Sequence, residues 1–269
     1  MNENEPKSDK SFNVETLVGP QNSEVSFCPN RGGIITSLKL NGKEILYLDK
    51  TTFEKTGVSV RGGIPILFPN AGPITNSILP QHGFARNLEW NNEVMVNGFK
   101  ETLSTNDETK LVYPYNFKFT NSGKFKNDGS FTIYQEVQNL EDNKSMPISM
   151  GLHPYFKVPD DEKINIKFNF RGGKIVQDKA NLWMNGEYIS IDNPKVFDPE
   201  AIMEIIIPSL GTLMIDASIE YRKIWIWSLP GKDFICIEPV MRDINGLIDD
   251  PQFIEPNKTF TTKVSFKLI

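Results

Sequence analysis

Histidine and cysteine are scarce in this 269-residue chain, with two of each. His82 and His153 lie far apart, no H-x-x-x-H or C-x-x-C spacing occurs, and no acidic cluster stands at ligand spacing, so no metal is expected. Cys28 and Cys236 each sit in an apolar stretch and read as small buried hydrophobes, neither a disulfide nor a nucleophile. Long apolar runs are also missing. None approaches the roughly 18 residues that span a bilayer, and the start, MNENEPKSDKSF, lacks the basic and apolar regions of a leader. No membrane partner and a cytoplasmic location are the expectations. Positive charge is in deficit, 29 Lys and Arg against 34 Asp and Glu, which argues against a nucleic-acid partner. There is no Walker loop, no G-x-G-x-x-G after a strand and no G-x-S-x-G elbow. No cofactor is expected.

What is present suits a large β-rich core. Hydrophobic residues make up 39% of the chain, 18 of them Phe, and short β-rich runs alternate with Gly, Pro, Asn and Asp clusters. GIITSLKL and KEILYL flank Asn41-Gly42, which predicts a hairpin with a type I′ turn. SFTIYQEVQN and MPISMGLHPYF, joined by LEDNKS, predict a second hairpin; KTFTTKVSFKLI predicts a strand with one wet face. Residues 91 to 115 read as strands and turns, and few segments have room for a helix. The pattern predicts an all-β fold, a large antiparallel β-sandwich, as one domain over 15–269 after a flexible 1–14.

Three places hold the polar residues that could do chemistry. The stretch from Arg61 to Trp90, RGGIPILFPNAGPITNSILPQHGFARNLEW, is stiffened by Pro65, Pro69, Pro73 and Pro80 and carries Arg61, His82 and Arg86. It reads either as the rigid wall of a polar pocket or as a surface loop capping a sheet. In MPISMGLHPYF, Met146, Ile148, Met150 and Leu152 share one face while Pro147, Ser149, Gly151 and His153 share the other. Small residues beside His153 suggest space for a ligand; the alternative is a core histidine with a satisfied hydrogen bond. Glu238, in DFICIEPVMRD, ends an apolar run before Pro239, as a buried carboxylate with a raised pKa or as a strand-end residue facing water. A His and Glu acid/base pair near arginines suits proton transfer on a small polar or anionic molecule.

RGGIPILFP, HGFAR followed closely by Trp90, GLHPYF and the late IEP, in this order, resemble the galactose mutarotase-like superfamily, closest to aldose 1-epimerases of the hexose-6-phosphate mutarotase-like branch. The resemblance spans about residues 20 to 269 and implies a β-supersandwich that interconverts the α and β anomers of an aldose without a cofactor. It implies His153 as general acid, Glu238 as general base, His82 as a sugar-binding residue, and Arg61 and Arg86 at positions that bind an anionic group. The sugar or sugar phosphate is then the partner. The family usually carries an acidic substrate-binding residue between the second His and the Glu; the matching position here is Pro194, with Asp178, Asp192 and Asp198 as the replacements to consider. That departure leaves a non-catalytic carbohydrate-binding or regulatory module on the same scaffold as the alternative. A glycoside hydrolase would need two flanking carboxylates, and only Glu238 stands out.

Overall fold

The computed structural model describes residues 11–269. Strands dominate, and every pairing between them is antiparallel. An eight-stranded sheet runs in the order Lys167–Asn169, Met203–Ile207, Gly211–Ala217, Thr259–Leu268, Phe131–Asn139, Phe117–Phe125, Gly98–Ser104 and Asn91–Met95. Against it stand a six-stranded sheet, with Ile189–Asp192, Lys223–Trp227, Phe234–Val240, Gly151–Leu152 and Ile66–Leu67 in order and Tyr155–Lys157 also on Phe234–Val240, and a four-stranded sheet over residues 15–44. Aromatic rings fill the space between the layers: Phe27 stacks on Phe99 at 4.1 Å, Phe68 meets Phe119 at 4.8 Å and Phe156 meets Phe266 at 5.7 Å. The result is the expected antiparallel β-sandwich. Among the described residues no helix is long and apolar enough to cross a membrane.

Local chemistry explains the turns. Asn41 and Gly42 both have positive φ, 51° and 76°, and join Ile34–Leu40 to Lys43–Glu44 as the predicted I′ hairpin. The second predicted hairpin does not form. Phe131–Asn139 pairs with Phe117–Phe125 and Thr259–Leu268, whereas Met146–Ile148 pairs with Gln252–Ile254 in a separate small sheet. The strand after the LEDNKS turn leaves for the other layer, because Met146, Ile148 and Met150 are wholly buried there. Residues 107–112 form a short helix, where strands and turns were expected, closed by a capping box between Asn106 and Thr109. Residues 1–10 of the expected flexible 1–14 stretch lie outside the described residues. Phe12 already packs on Phe53 at 5.6 Å and under the Arg31 guanidinium at 4.8 Å.

One polar row crosses the core side of the large sheet. Glu101, Asn121, Gln135 and Thr262 are successive ladder partners, all buried. Asn121 donates to Glu101 Oε2 at 3.3 Å, Gln135 to Asn121 at 3.5 Å, and the Tyr221 hydroxyl donates to Gln135 at 2.6 Å beside Thr262 at 2.7 Å. Glu101 Oε1 has no partner among the described residues, and burial pushes the carboxyl up to about 8. A carboxyl whose folded-state pKa lies above its unfolded value keeps its proton in the fold after the unfolded chain has lost it. Stability therefore falls between about pH 4.5 and 8, by up to about 4 kcal/mol. Glu101→Gln should melt several degrees above wild type at pH 8 and close to it at pH 4.5 in a thermal scan; a margin independent of pH would contradict this account.

Candidate active site

Two cross-strand rows on the six-stranded sheet build the floor of the site. Tyr155, Cys236 and Trp227 are ladder partners in one row; Ser190, Trp225 and Glu238 form the next. Side chains two apart on one strand share a face, so Cys236 and Glu238, like Trp225 and Trp227, stand together. Glu238 was expected at a strand end, yet Phe234–Val240 continues past it through Pro239, which pairs with Ile224, and Glu238 is 3% exposed. His153 is held between Gly151–Leu152 and Tyr155–Lys157 by its backbone amide, which donates to Pro65 at 3.0 Å. Its Nε2 lies 3.4 Å from Glu238 Oε1. The small neighbours of His153 have a different role from the one expected: a Cβ on Gly151 would come 2.7 Å from Val240 Cγ1, so the glycine serves the close approach of Phe234–Val240.

The Arg61 to Trp90 stretch forms the opposite wall, not a surface cap. Ile66–Leu67 joins the sheet edge beside Gly151–Leu152. His82 and Gly83 both take left-handed backbone, φ 68° and 69°, and a Cβ on Gly83 would overlap the Phe68 carbonyl oxygen at 1.9 Å. This turn aims the His82 ring at His153, edge-on at 5.3 Å, with His82 Nδ1 against the Ala71 carbonyl. The walls enclose a cavity of about 460 Å³ lined by Arg61, His82, Arg86, His153 and Glu238 with Gln81, Tyr155, Tyr188, Trp225 and Trp227. All five residues singled out from sequence thus meet in one place. Arg61 is exposed at the rim; Arg86 is buried and donates to the Val60 carbonyl at 3.3 Å. Neither guanidinium has a carboxylate partner among the described residues.

The aromatic residues that line the cavity were not singled out by number from the sequence. Trp225 and Trp227 in KIWIWSL alternate with Ile224 and Ile226, and that spacing alone places both indoles on one face. Tyr155 stacks on the His153 ring at 4.6 Å with 7° between planes, and Trp227 stands edge-on to it. Trp90 is not part of the cavity; it is buried and donates to Ala85 at 3.0 Å. None of Asp178, Asp192 or Asp198 lines the cavity: Asp178 pairs with Lys174, Asp192 with Lys223, and Asp198 accepts from the Glu200 amide.

Burial governs the electrostatics. Desolvation holds His153 well below the ordinary imidazole value, helped by His82 and Arg86, and pushes Glu238 well up against the opposing pull of Arg86. His82 is lowered to about 4 by burial and then by Arg86. Burial therefore favours a neutral imidazole beside a protonated carboxyl, one proton between two groups. His153 Nδ1 and Glu238 Oε2 are buried with no hydrogen-bond partner among the described residues. Among the described residues, His153, Cys236 and Glu238 are the group with ligand atoms close enough to share a cation, within 4.8 Å. Burial holds the Cys236 thiol far above its ordinary value, so a cation would have to displace protons from both Cys236 and Glu238. The set suits proton transfer better than metal binding.

The profile of the Aldose 1-epimerase family matches residues 16–205. A Salmonella typhimurium protein provisionally named a glucose-6-phosphate 1-epimerase is 32% identical over 166 residues, 59% of this chain and 52% of the relative. An Escherichia coli protein with the same provisional name is 34% identical over 143 residues, 51% of this chain and 46% of its own. The chain thus matches about half the length of these curated relatives. Among solved structures, the Slr1438 protein of Synechocystis sp. PCC 6803 superposes over 99% of both chains with a TM-score of 0.84 at 27% identity. The galactose 1-epimerase of Lactobacillus acidophilus superposes over 98% of this chain and 96% of its own, with a TM-score of 0.71 at 15% identity, a likeness of fold alone.

A histidine whose pKa is lowered stays neutral until the pH falls to that value. Ring ¹⁵N NMR should therefore find both His82 and His153 neutral from pH 8 down to about 5.5. A titration of either ring near the unperturbed value of about 6.5 would show that water reaches the pair.

Proposed function

The chain belongs to the aldose 1-epimerase family, and we propose that it interconverts the α and β anomers of a hexose or hexose 6-phosphate, with His153 and Glu238 moving the protons. The observation that carries this reading is the buried imidazole and carboxyl, 3.4 Å apart on the floor of a cavity of about 460 Å³. Anomer exchange requires one proton to leave the C1 hydroxyl and another to reach the ring oxygen. Both oxygens are bonded to the same carbon, so two groups a few ångströms apart can serve them together.

The proton count closes within the pair. Starting from imidazolium and carboxylate, Glu238 takes the hydroxyl proton while His153 gives one to the ring oxygen. The C1–ring oxygen bond breaks, and an open-chain aldehyde remains beside neutral imidazole and carboxylic acid. Rotation about C1–C2 presents the other carbonyl face, and closure returns both protons. The neutral arrangement favoured by burial is thus the state that the pair reaches when the ring is open. Sugar hydroxyls donating to Glu238 Oε2, which has no partner among the described residues, would join the Arg86 charge in favouring the carboxylate needed at the start. Trp225 and Trp227 would cover the apolar face of the ring, and His82 would donate to or accept from a sugar oxygen beside His153.

Two guanidinium groups at the cavity with no carboxylate partner among the described residues support a 6-phosphate, in keeping with the names of the bacterial relatives. Exchange NMR or polarimetry on glucose, galactose and glucose 6-phosphate should show accelerated anomerisation, reduced about 10²- to 10⁴-fold by His153→Ala and by Glu238→Gln. Equal rates in wild type and both variants would remove the assignment, and saturable sugar binding without exchange would select the binding-module reading.

The arginines separate the substrates. Arg61→Ala should raise KM for the 6-phosphate about 10- to 100-fold and leave the free sugar within about twofold. Arg86→Ala should follow the same order, with added loss on both because Arg86 also holds Val60. Equal losses on both sugars in Arg61→Ala would exclude a phosphate role.

A further inference from the structure

Asp243 is not among the residues singled out from sequence, yet three side chains converge on it. Trp225 Nε1 donates to its Oδ1 at 3.0 Å, and Ser190 Oγ donates to the same oxygen. Lys223 Nζ lies 3.4 Å from Oδ2 and 2.9 Å from Asp192. Two of these partners belong to the row Ser190, Trp225, Glu238 that floors the cavity, so Asp243 closes over the row whose last member is the proposed base.

Trp225 is 4% exposed and lines the cavity directly beside Glu238. Its far ring edge leaves so little room that a Cβ on Gly72 would come 2.9 Å from Cη2. The indole N–H is a donor with a single proton to place. With one end of the ring against Gly72 and the other tied to a carboxylate oxygen, both side-chain torsions are fixed, and so is the plane that the indole offers to a ligand.

The geometry points to Asp243 as a positioning residue that sets the Trp225 indole, and with it the wall beside Glu238, for a sugar ring. This rests on the epimerase reading for its effect on turnover, but its structural part does not. Asp243 would thereby act on the cavity at one remove, from a position after the Glu, whereas the acidic residue usual in the family precedes it. Lys223, held between Asp192 and Asp243, keeps the carboxylate in place.

Incorporating 5-fluorotryptophan and assigning Trp225 by Trp225→Phe gives a direct readout by ¹⁹F NMR. Asp243→Ala should shift and broaden the Trp225 resonance while leaving those of Trp90 and Trp183 unchanged, and should lower kcat/KM about tenfold. Asp243→Asn keeps the accepting oxygen and should restore both to within about twofold of wild type. In a Trp225→Phe background Asp243→Ala should cost nothing further. An unmoved Trp225 resonance in Asp243→Ala, or an equal loss in the Trp225→Phe background, would overturn the assignment. The resonance is readable whether or not the protein turns over a sugar, so failure here and failure of the epimerase reading give different results.

Discussion

A single proton shared by a buried imidazole and a buried carboxyl is the constraint around which the cavity is built. Either group alone would be costly to ionise away from water, and the ordinary outcome of burying both is neutralisation. Placing them 3.4 Å apart makes the neutral pair and the ion pair two arrangements of the same proton. An isomerisation with no net proton change can use both arrangements in turn. Burial favours the neutral arrangement, Tyr155 and Cys236 contribute no charge of their own, and Arg86 pulls the other way, toward the carboxylate.

The sandwich supplies the rigidity that such a pair needs. Glu238 lies in the middle of a strand with every residue buried, and its neighbours across the ladder are fixed on both sides. His153 comes from an irregular junction of two short strands and depends on contacts to the Pro65 and Gly63 carbonyls made by itself and Tyr155. The wall from Arg61 to Trp90 is therefore structural as well as functional. Its glycines are required where backbones touch: Gly62 lies over Leu48, and Gly83 against the Phe68 carbonyl.

Much of this was legible in the sequence, for reasons that can be named. The Asn41-Gly42 turn is dictated by its own dihedral preferences, and the strands of the large sheet declare themselves by alternation. His82, His153, Glu238, Arg61 and Arg86 stood out as rare or charged residues in apolar frames, and they line one cavity. Pairing between distant strands was less accessible. Nothing local to residues 131–152 announces that Met146–Ile148 abandons its predecessor for Gln252–Ile254, since both partners are equally apolar. The helix at 107–112 was hidden because a capping box of Asn and Thr resembles an ordinary polar turn. Asp243 escaped notice because its importance comes through an indole from another strand.

The polar row across the large sheet bears on how the chain avoids pairing wrongly. Shifting a strand by one residue would turn its apolar side to water, but a shift of two keeps the alternation intact, so the hydrophobic pattern does not forbid it. In this sheet such a shift would set Asn121 opposite Ile133 or Val137, and Gln135 opposite Phe260 or Val264. Each amide would then be sealed among hydrocarbon groups with its donors and acceptors unanswered. Glu101, Asn121, Gln135 and Thr262 thus act like the notches of a key, selecting one alignment of four adjacent strands from several that the greasy surface alone would accept.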